Sequence, residues 1–202
     1  LVPRRPLVER AEAGRRRRQV AAESLQAHGY AVFAELLPPL LLAALRRYYR
    51  SLMAEGFFPL GDDLVERRYI GHNETVARFF HRLLVPLVTE IVGQPVKPSY
   101  VFFSSYLEGA LLPRHVDREQ CEWSISLQLD YTPEPAAATP WAIHLQPLAE
   151  TVPAKALRLA LGDGLFYKGR ELWHHRDPLP PGHRSTSLFL HYVPHDFTGK
   201  LD

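Results

Sequence analysis

Histidine is the residue type that stands out in this chain: ten of its 202 residues are histidines, against a single cysteine. Two His-x-Asp triplets stand at positions 115–117 and 175–177, and His174 directly precedes the second of them. Imidazole nitrogens and carboxylate oxygens bind divalent transition metals and also transfer protons. The sequence therefore points to metal or acid–base chemistry, whereas the lone Cys121 excludes a disulfide within the chain and a four-cysteine zinc site.

The first triplet has the better surroundings for enclosing an ion. Because side chains two residues apart on a strand project to the same face, His115 and Asp117 can bind one metal together. His174 follows Asp117 by 57 residues, which leaves room for several strands to bring the chain back. Two histidines and one carboxylate leave three cis positions of an octahedron open, as in non-haem Fe(II) oxygenases. The second triplet is followed by a single hairpin, which is too short to enclose an ion.

A basic residue and a hydroxyl follow at a spacing that suits anion binding. Arg184 stands ten residues after His174, and Thr186 lies two residues further on. On a strand these two side chains share a face, and the planar fork of a guanidinium matches a carboxylate in two hydrogen bonds. The pattern predicts that Arg184 and Thr186 bind one carboxylate together.

Two kinds of element must position these residues. In the first hundred residues, apolar positions at helical steps predict helices over 7–28, from Pro38 to Leu52 and over 74–92, with a short strand at 30–33 and a loop over 56–71. From about residue 96 the chain changes to six to eight short β-type runs, roughly ten residues apart. No helical crossovers separate these runs, so they predict a β-sandwich or jelly roll.

The motifs taken together resemble the Fe(II)/2-oxoglutarate-dependent dioxygenases, in particular the prolyl-hydroxylase-like branch. The resemblance covers about residues 96–195 and is carried by Tyr106, Gly109, His115, Asp117, Gly162, Asp163, His174, Pro178, Leu179, Gly182, Arg184 and Thr186. It implies an α+β fold in which N-terminal helices pack on one sheet of a double-stranded β-helix, a cupin-like jelly roll. It also implies one domain over 1–202, with a mostly helical part at 1–95 and the catalytic core at 96–195.

The resemblance further implies the roles of single residues. His115, Asp117 and His174 would bind Fe(II), and Arg184 would hold the distal carboxylate of the cosubstrate 2-oxoglutarate. Thr186 would assist Arg184, and the Tyr106 hydroxyl would contact the same cosubstrate. The family places a proline four residues after its second histidine ligand, so Pro178 favours His174 over His175.

The same resemblance implies a hydroxylase that consumes O2 and 2-oxoglutarate and oxidises an unactivated C–H bond. Thr139-Pro140-Trp141-Ala142 stands where the family has an acidic Gly-Gly segment, so the resemblance does not extend to a protein-prolyl substrate. The modest size favours a small metabolite, an amino acid or a short peptide as substrate. Arg118 and Arg176 flank the expected ligands and Trp141 follows a Pro/Ala-rich loop, so these three residues are candidates for substrate contact.

Composition bounds the other classes of function. Hydrophobic residues make up 46% of the chain and charged residues 23%, which is typical of a globular domain. The net charge of +2 is too small to indicate a nucleic-acid partner, although the run Arg15–Arg18 keeps that alternative open. The longest apolar run is too short for a membrane span, so we expect a soluble, cytoplasmic protein. A cupin-like binding or regulatory module without turnover is the other alternative, and the sequence does not indicate an oligomeric state.

Overall fold

Four α-helices, one short 3-10 helix (Glu119–Cys121) and ten strands are the regular elements of the described residues. The computed structural model describes residues 4–202, with side chains from residue 11 onward. The helices are α1 (Arg4–His28), α2 (Pro39–Ala54), α3 (Thr75–Leu83) and α4 (Val85–Val92). The strands are β1 (Tyr30–Phe33), β2 (Arg68–His72), β3 (Val96–Leu107), β4 (Leu112–His115), β5 (Trp123–Thr132), β6 (Ile143–Pro147), β7 (Lys155–Leu157), β8 (Gly164–Tyr167), β9 (Leu172–Arg176) and β10 (Arg184–Pro194).

The helical segment after β2 is divided in two, where the sequence predicted one helix over 74–92. α3 begins at a cap formed by the Glu74 carboxylate, which accepts hydrogen bonds from the N–H groups of Val76 and Ala77, each at 2.9 Å. Leu84 separates α3 from α4, and Pro86 lies in the first turn of α4. Because proline has no N–H to donate to the carbonyl four residues earlier, the first helix cannot continue through it.

The strands form two antiparallel sheets. The large sheet has the order β1-β8-β5-β10-β3-β2, and the small sheet has the order β4-β9-β6-β7. Two strands of the helical part, β1 and β2, extend the two edges of the large sheet. The prediction of a loop over 56–71 was wrong at its end, because Arg68–His72 pairs with β3. The sequence of this edge strand does not alternate between apolar and polar residues, so the strand is recognised only from its pairing with β3.

The helices cover the outer face of the large sheet. Tyr49 of α2 stacks on Phe103 of β3 at a ring distance of 4.7 Å. The buried side chains of this layer include Leu25, Leu45, Tyr49, Phe80, Val88, Phe103, Leu127, Leu188 and Leu190. Burial of so much apolar surface holds the helices against one sheet. The inner face of the large sheet is left to face the small sheet.

Two further expectations concern α1 and the membrane. Within the arginine run of α1, Arg18 pairs with Glu90 at 2.8 Å and Arg17 lies over the Phe33 ring at 4.6 Å. These two arginines therefore contact α4 and β1 of the same chain.

Over residues 4–202, none of the helices combines the length and the apolar character that crossing a membrane requires.

Candidate active site

Adjacent strands of the small sheet bring the two predicted histidine ligands together. His115 at the end of β4 and His174 in β9 are cross-strand partners, and their ring centres lie 4.2 Å apart. Asp117 follows β4, and its Oδ1 atom lies 3.8 Å from Nε2 of His115 and 3.4 Å from Nε2 of His174. Ligand atoms about 2.1 Å from a common metal are roughly 3.0–3.4 Å apart, so the three atoms are close to a coordinating arrangement.

The hydrogen bonds of both imidazoles leave the same nitrogen free. Nδ1 of His115 donates to the carbonyl of Pro113 at 2.8 Å, and Nδ1 of His174 donates to the carbonyl of Leu172 at 2.9 Å. A carbonyl only accepts, so each Nδ1 carries the proton and each Nε2 keeps its lone pair. Backbone carbonyls fix histidine ligands of metal sites in this way. Both Nε2 atoms are therefore prepared to bind a metal next to Asp117.

The Asp117 carboxylate is oriented by two side chains that the sequence analysis did not identify. Ser124 donates its hydroxyl proton to Oδ2 of Asp117 at 3.1 Å. Nδ1 of His191 lies 2.8 Å from the same hydroxyl oxygen and must act as the donor, because the serine proton is already used. This chain of bonds leaves Oδ1 directed at the two histidines. The alternation of Ser124, Ser126 and Gln128 along β5 was a signal for an inward polar face.

A glycine permits the close approach of the Asp117 carboxylate to the neighbouring chain. The N–H of Asp117 donates to the carbonyl of Gly169 at 2.9 Å. A Cβ atom at Gly169 would collide with the Asp117 carboxylate and would lie only 2.8 Å from the backbone carbonyl oxygen of Cys121. Because no side chain fits at position 169, the glycine there is part of the packing that fixes Asp117.

Electrostatics keep the carboxylate charged and the neighbouring imidazole neutral. Burial by itself raises the pKa of Asp117, but the nearby imidazoles, His174 first among them, outweigh it and lower that pKa to about 2. Burial lowers the pKa of His115, and the adjacent His174 lowers it further. At neutral pH the site thus offers an anionic oxygen and an imidazole lone pair, which are the protonation states that metal binding needs.

The three residues lie on the wall of a cavity with a volume of about 480 Å³. Much of its wall is aromatic, with contributions from Tyr100, Phe102, Tyr106, Tyr167 and Phe189. At one side Arg68 forms an ion pair with Asp62 and donates from Nη1 to the Tyr106 hydroxyl at 3.2 Å. Tyr106, which the sequence analysis assigned to the cosubstrate, therefore lines the cavity and is already oriented by Arg68.

Two of the predicted cosubstrate residues lie elsewhere, which corrects that prediction. Arg184 is exposed at the start of β10. Thr186 is buried, and its hydroxyl lies 2.8 Å from that of Ser105. It is on the same face of β10 as Leu188, which packs in the layer beneath the helices. Phe189, on the opposite face of β10, lines the cavity. The turn before β10 sets the opposite phase to the one that the spacing predicted, so Arg184 and Thr186 face away from the cavity.

Arg176 occupies the interior position instead. It lies two residues after His174 on the same face of β9, and 2% of it is exposed. Its Nη1 donates to the Trp141 carbonyl at 2.8 Å, and its guanidinium lies 4.6 Å from the centre of the Trp141 ring. Its Nε has no hydrogen-bond partner, and no carboxylate of the described residues lies within ion-pairing distance. Burial lowers the pKa of Arg176 to about 10.

The other two candidates for substrate contact have different surroundings. Arg118 is exposed, lines the cavity and lies 4.6 Å from the centre of the Tyr100 ring. Trp141 is not part of the cavity wall: it is buried between Arg176 and Tyr106, and its ring lies 5.0 Å from that of Tyr106. The structure therefore leaves Arg118 as a candidate for substrate contact and gives Trp141 a supporting position beneath Arg176.

The sequence matches no protein-family model and no curated protein, but the structure has solved neighbours. A Pseudomonas putida prolyl-4-hydroxylase superposes with a TM-score of 0.69 at 19% identity, over 88% of this chain and 99% of that one. The α-ketoglutarate-dependent epimerase SnoN of nogalamycin biosynthesis gives 0.71 at 13%, over 88% and 80%. HygX from Streptomyces hygroscopicus, solved with nickel, 2-oxoglutarate and hygromycin B, gives 0.64 at 15%, over 88% of each chain.

These neighbours decide the architecture. The chain has the fold of the Fe(II)/2-oxoglutarate oxygenases. The expected combination of helices and antiparallel sheets is thereby confirmed. Identities of 13–19% leave the reaction and the substrate open, and the neighbours themselves include a hydroxylase and an epimerase.

Proposed function

We propose that this chain is an Fe(II)- and 2-oxoglutarate-dependent oxygenase built on a jelly roll. The observation that carries the proposal is the convergence of His115, Asp117 and His174 on one point of the cavity wall. The strand arrangement supports the jelly roll, because β3, β5, β8 and β10 share one sheet and β4, β6, β7 and β9 share the other. The solved neighbours of this fold support the assignment to the oxygenases.

The donor set fits Fe(II) as the resident metal. Two imidazole nitrogens and one carboxylate oxygen form the facial set that leaves three coordination positions for other ligands. All three side chains are held by further hydrogen bonds, from His115 and His174 to backbone carbonyls and from Ser124 to Asp117. No thiolate belongs to this set, since Cys121 is buried and burial raises its pKa to about 12. The site therefore favours an open iron centre over a closed structural zinc site.

Arg176 is the residue that we assign to the distal carboxylate of 2-oxoglutarate. A buried guanidinium without an acidic partner is costly, and its free Nε still needs an acceptor. Residues two apart on a strand are about 6.8 Å apart, so Arg176 lies one strand repeat beyond His174 on the same inward face. Two residues of the cavity wall lie next to Arg176. Leu112 is its cross-strand partner, and Tyr106 packs against Trp141, the residue whose ring the Arg176 guanidinium covers. An anion entering between these residues would neutralise the charge.

The chemistry follows from this arrangement. When bound, Fe(II) and 2-oxoglutarate supply an O2-activating centre: 2-oxoglutarate, O2 and R–H give succinate, CO2 and R–OH in the hydroxylation. The protein positions these partners. His115, Asp117 and His174 hold the metal, Ser124 and His191 keep the metal-facing oxygen of Asp117 in place, and Arg176 fixes the cosubstrate. The aromatic wall excludes water from the oxidation.

The cavity supports a small molecule or short peptide as prime substrate. A cavity of about 480 Å³ lies in the range of small-ligand sites, although the cosubstrate takes part of it. Its wall combines aromatic faces with the exposed cation of Arg118 above Tyr100. We assign Arg118 to an acidic group of the substrate near the entrance. A soluble protein in the cytoplasm fits this use of 2-oxoglutarate.

The test is formation of succinate from 2-oxoglutarate in the presence of Fe(II), ascorbate and O2, with and without candidate substrates. We expect slow succinate formation without a prime substrate and none in His174→Ala. A folded protein that neither forms succinate nor binds 2-oxoglutarate in the presence of metal would contradict the oxygenase and favour a binding module. If turnover depends on Arg184 instead of Arg176, the oxygenase activity stands and only the assignment of Arg176 to the cosubstrate is contradicted.

A further inference from the structure

The small sheet carries a second cluster of two histidines and an aspartate on its outer face. His144 of β6 and His175 of β9 are cross-strand partners, with stacked rings 4.7 Å apart and nearly parallel at 12°. Asp177 follows β9, and its Oδ2 atom lies 3.3 Å from Nε2 of His144. One ligand atom from each of the three residues lies within 4.8 Å of the other two. The second His-x-Asp triplet of the sequence is thus part of a cluster of its own.

This outer cluster repeats the construction of the inner one. In each, a β9 histidine faces a histidine on a neighbouring strand, His174 facing His115 and His175 facing His144. In each, the aspartate stands two residues after one of the histidines, as Asp117 and Asp177 do. Because β9 alternates its side chains, the two clusters lie on opposite faces of one sheet.

We propose that His144, His175 and Asp177 bind a divalent transition-metal ion on the outer face of the small sheet. Two ligand atoms about 2.0–2.1 Å from a tetrahedral zinc ion lie roughly 3.3 Å apart, which is the separation of the His144 and Asp177 atoms. Two imidazoles and one carboxylate select Zn²⁺, Cu²⁺, Ni²⁺ or Co²⁺ over Mg²⁺ and Ca²⁺. Water completes the coordination, because the Asp177 side chain is 69% exposed.

The surroundings of the cluster are compatible with a cation. Asp177 has a fixed backbone, since its carbonyl accepts a hydrogen bond from Nε1 of the buried Trp141 at 2.7 Å. The neighbouring cation Arg114 is neutralised by an ion pair with Glu150 at 2.6 Å. A metal bound here would cross-link β6 and β9, the strand that carries His174 and Arg176. It would therefore stabilise the small sheet without entering the inner cavity.

The experiment is a Zn²⁺ titration of the chelator-treated 202-residue chain, followed by calorimetry. Wild type should bind two ions, one in each cluster. His174→Ala should keep the outer ion, and His175→Gln should keep the inner one. The double variant His174→Ala/His144→Gln should bind none. His28→Gln, an exposed histidine outside both clusters, is the matched control and should still bind two ions.

Loss of either outer histidine should lower the affinity of the outer cluster for Zn²⁺. The decrease should exceed the roughly 10- to 100-fold that follows from the loss of a partner outside the coordination sphere. Circular dichroism verifies folding, and Zn²⁺ should raise the thermal midpoint of His174→Ala but not of the double variant. Electron paramagnetic resonance of Cu²⁺ in His174→Ala should show coupling to two nitrogens. If folded His174→Ala binds no Zn²⁺ where wild type binds one ion, or if the double variant binds as tightly as His174→Ala, the outer site does not exist.

Discussion

The two faces of β9 carry nearly the same residue types in very different surroundings. Inward lie His174 and Arg176, each 2% exposed, next to an aspartate held by a serine. Outward lie His175 and the exposed Asp177, next to His144. The inner cluster is oriented by hydrogen bonds and has a cavity beside it, whereas the outer cluster includes the largely exposed Asp177 and is open to water. Chemistry on an organic substrate needs the inner combination, while simple ion binding needs only the three ligand atoms.

The same contrast separates two arginines. Arg176 is buried without an acidic partner, and Arg184 is exposed at the edge of β10. An exposed guanidinium is satisfied by water, but a buried one retains a need for an anion. The comparison teaches that position relative to the two sheets, more than residue type or spacing, decides which of two similar side chains is left with an unmet need for an anion, and we therefore assign the cosubstrate to Arg176.

The largest effect is expected from the paired histidines. His174→Ala should reduce succinate formation to the level without enzyme, because one of three metal ligands is lost. His175→Ala should retain most of the activity, because its ring lies on the outer face. Succinate measured at saturating 2-oxoglutarate and Fe(II) distinguishes them, and the reverse order of activities would reverse the assignment of the two faces.

The paired arginines should differ in their effect on cosubstrate affinity. Arg176→Met should raise the KM for 2-oxoglutarate by about 30-fold or more, since truncating a buried charge pair costs on the order of 2–5 kcal/mol. Arg184→Met should change this KM less than about twofold, in line with a surface site. Steady-state kinetics with varied 2-oxoglutarate measures both values. A strong effect of Arg184→Met alone would return the carboxylate to the residue favoured by the spacing.

The serines of β5 test whether Asp117 is positioned by its neighbours. Ser124→Ala should weaken metal binding by roughly 10- to 100-fold, because Oδ2 of Asp117 loses its donor and the carboxylate can rotate. Ser126→Ala is the matched control, because Ser126 is equally buried but its hydroxyl has no partner. Competition with a chelating dye gives both affinities, and Ser124→Thr should restore part of the loss. Equal affinities of the two alanine variants would remove Ser124 from the account.

The smallest expected effect concerns stability without cosubstrate. Burial lowers the pKa of Arg176 from 12.5 to about 10, which corresponds to a cost on the order of 3 kcal/mol for the charged form. Arg176→Met removes this cost, so the metal-free and ligand-free variant should melt a few degrees above wild type. Differential scanning calorimetry checks this. A strongly lowered midpoint would mean that Arg176 serves the fold and not a ligand.

Much of this molecule follows from the sequence, because the strongest signals are local. Apolar and polar residues alternate clearly along β5 and β10, and the His-x-Asp triplet with a later histidine predicts the inner cluster. The division of the helix at Leu84 needed only attention to Pro86. Spacing does not determine the phase of a strand, however. The turn between Pro178 and Gly182 turns Arg184 outward, and no count of residues along the chain contains that information.

Other parts of the site depend on contacts between distant segments. Gly169 and Ser124 meet Asp117 only after β8 and β5 are paired in one sheet. The pairing of His144 with His175 requires the register of β6 on β9. The uncompensated charge of Arg176 is visible only when burial and every neighbouring carboxylate are known. These features depend on tertiary structure, so the sequence alone named Arg176 only as one of three candidates for substrate contact, beside Arg118 and Trp141.

The most direct test of the central claim is the location of a bound metal and cosubstrate in crystals grown anaerobically with Mn²⁺ and 2-oxoglutarate. We predict an anomalous-scattering peak within about 2.2 Å of Nε2 of His115, Oδ1 of Asp117 and Nε2 of His174, in keeping with metal–ligand distances. The distal carboxylate of the cosubstrate should contact Arg176. A cavity without metal at saturating Mn²⁺, or a cosubstrate bound away from the inward face of β9, would contradict the account.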